Sequence, residues 1–141
     1  MNNDPNCIFC KIVTGAVPCF KLHEDSSTLA FMDINPFNPG HCLVIPKSHA
    51  ADVFTIDEAS MAATARSARV VATAVQATLK CEGMNLVQAN GPAAAQSVKH
   101  FHIHVLPRRT GDEAKLNWMP SPGDMTAIGK LAEAIRRHIT K

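Results

Sequence analysis

No apolar run in the chain approaches the roughly 20 residues that a membrane-spanning helix requires, and this excludes a transmembrane segment of that kind. The opening stretch, MNNDPNCIFCKIV, lacks the basic and long apolar regions of a secretory signal, so the cytoplasm is the expected compartment. Net charge is only +2, and without a strong basic field the composition makes no case for duplex nucleic acid or a membrane surface. Charged residues are sparse at 18% against 46% apolar, a globular balance far from a disordered one. The chain has no internal repeat and no low-complexity linker, and its 141 residues suit one domain with a real core. Five cysteines, an odd number with no export signal, argue against a disulfide framework and leave reduced thiols free for metal.

The elements that are present define an α+β domain. Residues 7–14 suit a short helix or turn, broken between Gly15 and Pro18. A hairpin follows, with strands over 20–24 and 28–34 around a turn at Asp25-Ser26-Ser27. NPFNPG, residues 35–40, is dense in turn formers, and CLVIP, residues 42–46, forms the next strand. Thr55 and Glu58 fit a capping box at the start of a long helix, and Gly83 fits its C-terminal cap. Between them Met61, Ala65, Ala68, Ala72, Val75 and Leu79 recur at spacings of three and four, which predicts an apolar stripe lying close against a sheet. A strand over 85–89, the histidine-rich strand after it and a final helix over 125–139 complete antiparallel strands with one long helix across them.

The most informative stretch is HFHIHVL, which sets His100, His102 and His104 at every second position. Phe101, Ile103 and Val105 alternate with them, so a half-buried strand would send these three into the core and align the imidazoles along one open face. All three cannot readily ligate one metal. A strand rises ~3.3 Å per residue, which puts the outer two about 13 Å apart, whereas zinc ligands lie only ~2 Å from the ion. At least one imidazole is left for other work. Neutral imidazole is both a nucleophile and a proton carrier near neutral pH, and the electrophile that such a row suits best is a phosphorus centre.

The segment just before, NGPAAAQSVK, offers Asn90, Gln96 and Ser97 as neutral donors among small residues that leave backbone N–H groups accessible to an anion. Cys7 and Cys10 form a C-x-x-C pair, which by itself is equally a pair of buried thiols, a redox pair or half of a metal site.

HFHIHVL matches the alternating signature of the histidine triad superfamily. TLAFMDINPFNPGHCLVIPKSH, beginning at Thr28, resembles that family's central strands, and NLVQANGPAAAQSVKH resembles the loop before its triad. With CIFCKI near the start, the similarity runs along nearly the whole chain to Trp118, and it is greatest to the Hint-like nucleoside phosphoramidate hydrolases. The resemblance implies about five antiparallel strands with one long and one short helix in a single domain over 1–141, its core about 7–118 and its tail 119–141. It also implies a homodimer that takes a purine nucleotide. His102 would attack the α-phosphorus to give a nucleotidyl-histidine, later released by water, and His104 would assist proton transfer. Asn90, Gln96 and Ser97 would contact phosphate, and Asp33 would accept from the ribose hydroxyls. Phe9, Ile12, Phe31 and Ile34 would wall the base, although each would equally serve as ordinary core.

Bacterial members with such a cysteine pair imply a structural zinc held by Cys7, Cys10, His49 and His100. Of the remaining residues, His23, His41 and His138 read as surface positions, and Cys19, Cys42 and Cys81 as small packing residues. Where Hint-like enzymes follow the triad with two glycines, this chain has Val105-Leu106-Pro107-Arg108-Arg109, nearer to dinucleoside polyphosphate hydrolases. Arg108 or Arg109 would then meet extra phosphates. Trp118 resembles a C-terminal tryptophan of the Hint-like branch that shapes the leaving-group side. The alternatives to a phosphoramidate hydrolase are a polyphosphate hydrolase, a nucleotide-binding regulatory module and a zinc-dependent scaffold.

Overall fold

The computed structural model describes residues 2–113 and 120–139, and Trp118 lies outside them. The chain runs α1 (Ile8–Val13), β1 (Lys21–Glu24), β2 (Thr28–Met32), β3 (Cys42–Pro46), α2 (Glu58–Leu79), β4 (Gly83–Val87), a 3-10 turn (Pro92–Ala94), β5 (Ile103–Arg108) and α3 (Met125–Arg136). The five strands form one antiparallel sheet in the order β1-β2-β3-β5-β4. Among the described residues no helix is long and apolar enough to cross a membrane.

Two helices sandwich the centre of this sheet, which is why β2 and β3 read as nearly unbroken apolar runs. Alternate residues serve opposite faces. Ala30, Cys42, Val44 and Val105 pack beneath Ala68 and Val71 of α2. Leu29, Phe31, Leu43 and Ile45 pack with Cys7, Phe9 and Cys10 around α1. The outer helix α3 begins at an Asp124 cap, whose carboxylate accepts from the Thr126 and Ala127 N–H groups, and it has no buried residue.

Several details of the long helix differ from the sequence expectation. Its N-cap is Asp57, whose carboxylate accepts the Ser60 N–H at 2.9 Å, while the Thr55 hydroxyl donates to Asp52 in the preceding turn. Its C-cap is Lys80, held left-handed at φ 51° with its N–H on the Gln76 carbonyl, and Gly83 instead opens β4. Met61 and Ala65 are exposed. The buried face runs through Ala63, Thr64, Ser67, Ala68 and Val71. Two of these are hydroxyl residues that an apolar periodicity passes over. Thr64 donates to the Ser60 carbonyl, and Ser67 shares a 2.7 Å hydrogen bond with Thr28 of β2.

The histidine segment differs as well. Regular strand begins only at Ile103, because Phe101 N–H bonds to the Ala50 carbonyl at 2.7 Å instead of joining the sheet ladder. Ile103 and Val105 do pack toward α2. The imidazole face is not open: His100 is 0% and His102 2% exposed, because α1 lies across that side of the sheet.

Candidate functional site

Phe9 of α1 sets its ring edge-on against both buried imidazoles, with centroids 5.8 Å from His100 and 5.3 Å from His102, and it meets Phe31 at 5.6 Å. His102 Nδ1 is 2.6 Å from the His100 carbonyl oxygen. A carbonyl only accepts, so Nδ1 carries the proton and Nε2 keeps its lone pair. His102 and His104 stand ring to ring at 4.8 Å. Both line a cleft of about 570 Å³.

His41 belongs to this constellation and is not at the surface. It is buried, its Nε2 lies 2.9 Å from His104 Nδ1, and its Nδ1 accepts the Phe37 N–H at 3.0 Å. The amide fixes the rest by elimination. His41 Nδ1 must be the acceptor, so Nε2–H donates to His104 Nδ1, and His104 therefore carries its own proton on Nε2. The sequence held one signal for this: His41 has the parity of Leu43 and Ile45, which face α1. Burial holds all three imidazoles neutral. It lowers His102 and His41, and it takes His104 down to about 4 with further push from His102 and His41. Asp33, whose Oδ2 is 3.5 Å from His41 Nε2, opposes these shifts.

The remaining cleft is mostly apolar. Phe9, Ile12, Phe31 and Ile34 line it, and Ile8, Val17, Pro18, Leu43 and Val98 join them. Asp33 sits in the lining with its Oδ1 taken by the Asn35 N–H at 2.8 Å. Of the three loop donors only Ser97 lines the cleft. Asn90 Oδ1 accepts the Val53 N–H, and its amide nitrogen donates to Gln88. Gln96 accepts the Gly91 N–H and donates to the Ala51 and Val98 carbonyls. Both amides thus build the loop that presents Ser97. Arg108 forks onto Asp112 and reaches Asn85, while Arg109 caps the C-terminus of α2 at the Leu79 carbonyl. Neither is in the cleft wall.

Beside the cleft, the donor atoms of Cys7, Cys10, His49 and His100 all lie within 4.8 Å of one another. His100 Nδ1 stands 3.4 Å from Cys7 Sγ, 3.6 Å from Cys10 Sγ and 3.2 Å from His49 Nδ1, and Cys10 Sγ is 3.4 Å from His49 Nδ1. Ligands of a tetrahedral zinc, at ~2.3 Å for sulfur and ~2.0 Å for nitrogen, stand about 3.3–3.8 Å apart. The set fits such an ion. His100 Nε2–H donates to the Pro46 carbonyl at 2.9 Å, which leaves the Nδ1 lone pair turned to the cluster.

Asp33, His41 and His104 also bring their donor atoms within 4.8 Å. This second group does not suit a metal. Ligation through His41 Nε2 would move that ring's proton to Nδ1, where it would face the Phe37 N–H.

Comparison with known proteins accords with this geometry. The HIT domain family model matches residues 14–111. The adenosine 5'-monophosphoramidase of Schizosaccharomyces pombe is 38% identical over 135 residues, covering 95% of this chain and 98% of that one. A Streptococcus mutans crystal structure superposes with a TM-score of 0.94 at 36% identity, covering 99% of this chain and 88% of that one. A zinc-bound histidine triad family protein of Mycobacterium smegmatis does so with a TM-score of 0.75 at 36% identity, covering 92% and 97%. The alternating histidines thus sit in a chain matched along most of its length, and the chain belongs to the HIT, or histidine triad, family.

Proposed function

We propose that the protein is a nucleotide hydrolase that cleaves purine nucleoside phosphoramidates at the α-phosphorus. The observation that carries this reading is the tautomer pair: His102 with a free Nε2 lone pair, and His104 with a proton on Nε2, both lining one cleft. His102 Nε2 attacks phosphorus, the P–N bond breaks with its electron pair passing to the amine, and the amine gains a proton delivered through His104. Attack makes the His102 ring cationic, and the His100 carbonyl on Nδ1–H stabilises that charge. Water then attacks the nucleotidyl-histidine: one of its protons goes to His104 Nε2, replacing the one given to the amine, the bond from phosphorus to His102 breaks with its electron pair returning to Nε2, and AMP is released.

The apolar wall of Phe9, Ile12, Phe31 and Ile34 takes the purine, Asp33 accepts from the ribose, and Ser97 donates to phosphate. Asn90 and Gln96 act by holding the loop. Zinc on Cys7, Cys10, His49 and His100 would supply a structural cross-link. The commitment of Arg108 and Arg109 elsewhere favours an amine leaving group over a polyphosphate. The same reading includes a homodimer in the cytoplasm and a single domain with its core over about 7–118. AMP release from an adenosine amine phosphoramidate tests it: His102→Ala is expected to lower the rate by several orders of magnitude. Equally slow release by both proteins would reject it.

A further inference from the structure

The zinc ligands and the nucleotide pocket are built on the same two pieces of chain. Cys7, which caps α1, and Cys10 within it belong to the metal cluster, while Ile8, Phe9 and Ile12 line the cleft. On the segment before β5, His100 gives the cluster its Nδ1 and gives His102 the carbonyl that fixes the nucleophile's tautomer. Phe9 joins the two pieces, with its ring edge-on to the imidazole of the ligand His100 and to that of the nucleophile His102. The third anchor, His49, follows β3 and receives the N-terminus: its N–H donates to the Asn2 carbonyl, and Asn2 Nδ2 returns a bond to the His49 carbonyl.

The contacts of α1 to the segment before β5 include those of the two thiols and Phe9 with its histidines, and Val98 of that segment packs against the same core cluster. An ion that ties the thiols to His100 would therefore fix the distance between one wall of the base pocket and the attacking nitrogen. A nucleotide seated between that wall and His102 would hold the same distance from the other side.

We infer that zinc and nucleotide bind cooperatively, with Cys7, Cys10, His49 and His100 acting as positioning residues for the nucleotide site. The inference rests on the proposed nucleotide site and on zinc being the metal at the cluster. Linkage makes the effect reciprocal, so one factor describes both directions.

The test uses full-length protein, AMP and zinc, and it reads binding instead of turnover. Zinc affinity is measured against a chromophoric chelator with and without saturating AMP, and AMP affinity is measured by calorimetry on zinc-loaded and zinc-stripped protein. AMP is expected to tighten zinc about tenfold, and zinc to tighten AMP by the same factor. The chelator arm starts from loaded, folded protein, so it stands even where stripped protein loses α1. Zinc that binds with an affinity indifferent to AMP overturns the inference and leaves both sites in place. Failure of zinc to bind overturns the inference and the zinc assignment, while hydrolysis still tests the nucleotide reading. Failure of loaded protein to bind AMP overturns the inference together with the proposed function.

Discussion

His41 shows how a single backbone amide sets the chemistry of a side chain two contacts away. The Phe37 N–H decides which His41 nitrogen is protonated, and His41 in turn decides which nitrogen of His104 is. A glutamine at position 41 can copy both roles, with its carbonyl accepting from Phe37 and its amide donating to His104. A leucine can copy neither. His41→Gln is therefore expected to keep AMP release within about tenfold of the parent, whereas His41→Leu loses about 100-fold; equal losses in steady-state kinetics would rule out the tautomer role. The imidazoles also give stability a pH dependence. His104 titrates at about 4 when folded and at about 6.5 when unfolded. Between those values the unfolded chain binds more protons, so stability is full above about 6.5 and falls as pH drops toward 4. Urea midpoints at pH 7 and pH 5 measure this, and His104→Gln should show a shallower fall than the parent. The comparison with the variant matters because protonation of Cys7, Cys10, His49 and His100 would also loosen a metal held there over that range.

At the scale of elements, what the sequence made legible depended on whether polarity and burial agreed. Cys42–Pro46 is apolar throughout and flanked by turn formers, and the strand occupies those residues. In α2 the two properties part. Thr64 and Ser67 are buried because each hydroxyl finds a partner, one along the helix and one on β2, so a stripe drawn through apolar residues is rotated away from the true face. The helix end also departs from the pattern: glycine is the usual left-handed cap, but here Lys80 adopts that conformation at φ 51°. A non-glycine residue there carries strain of about 1 kcal/mol. Lys80→Gly is thus expected to raise stability by about 0.5–1 kcal/mol, read from the urea midpoint at unchanged m-value. A lower midpoint would mean that the lysine side chain contributes more than its backbone costs.

For the whole molecule, the order and spacing of the long matching stretches made the family legible, because an α+β sandwich with a histidine strand leaves few alternatives. What stayed hidden was the layer that α1 adds. Alternation alone describes one sheet with one covered face, and nothing in HFHIHVL tells of a six-residue helix, Ile8–Val13, closing the other. That closure buries His100 and His102 and lowers their basicity. It also has a consequence for how the molecule is made. Cys7 and His100 are 93 residues apart in the chain. At a synthesis rate of about 5–20 residues per second, the cysteine pair precedes its histidine partner by roughly 5–19 s. During that interval the emerging chain carries first the two thiols alone and then, once His49 has followed, three of the four donors. Capture of a metal by all four donors would therefore belong to the last stage of assembly, and the nascent thiols would need protection from oxidation until His100 arrives.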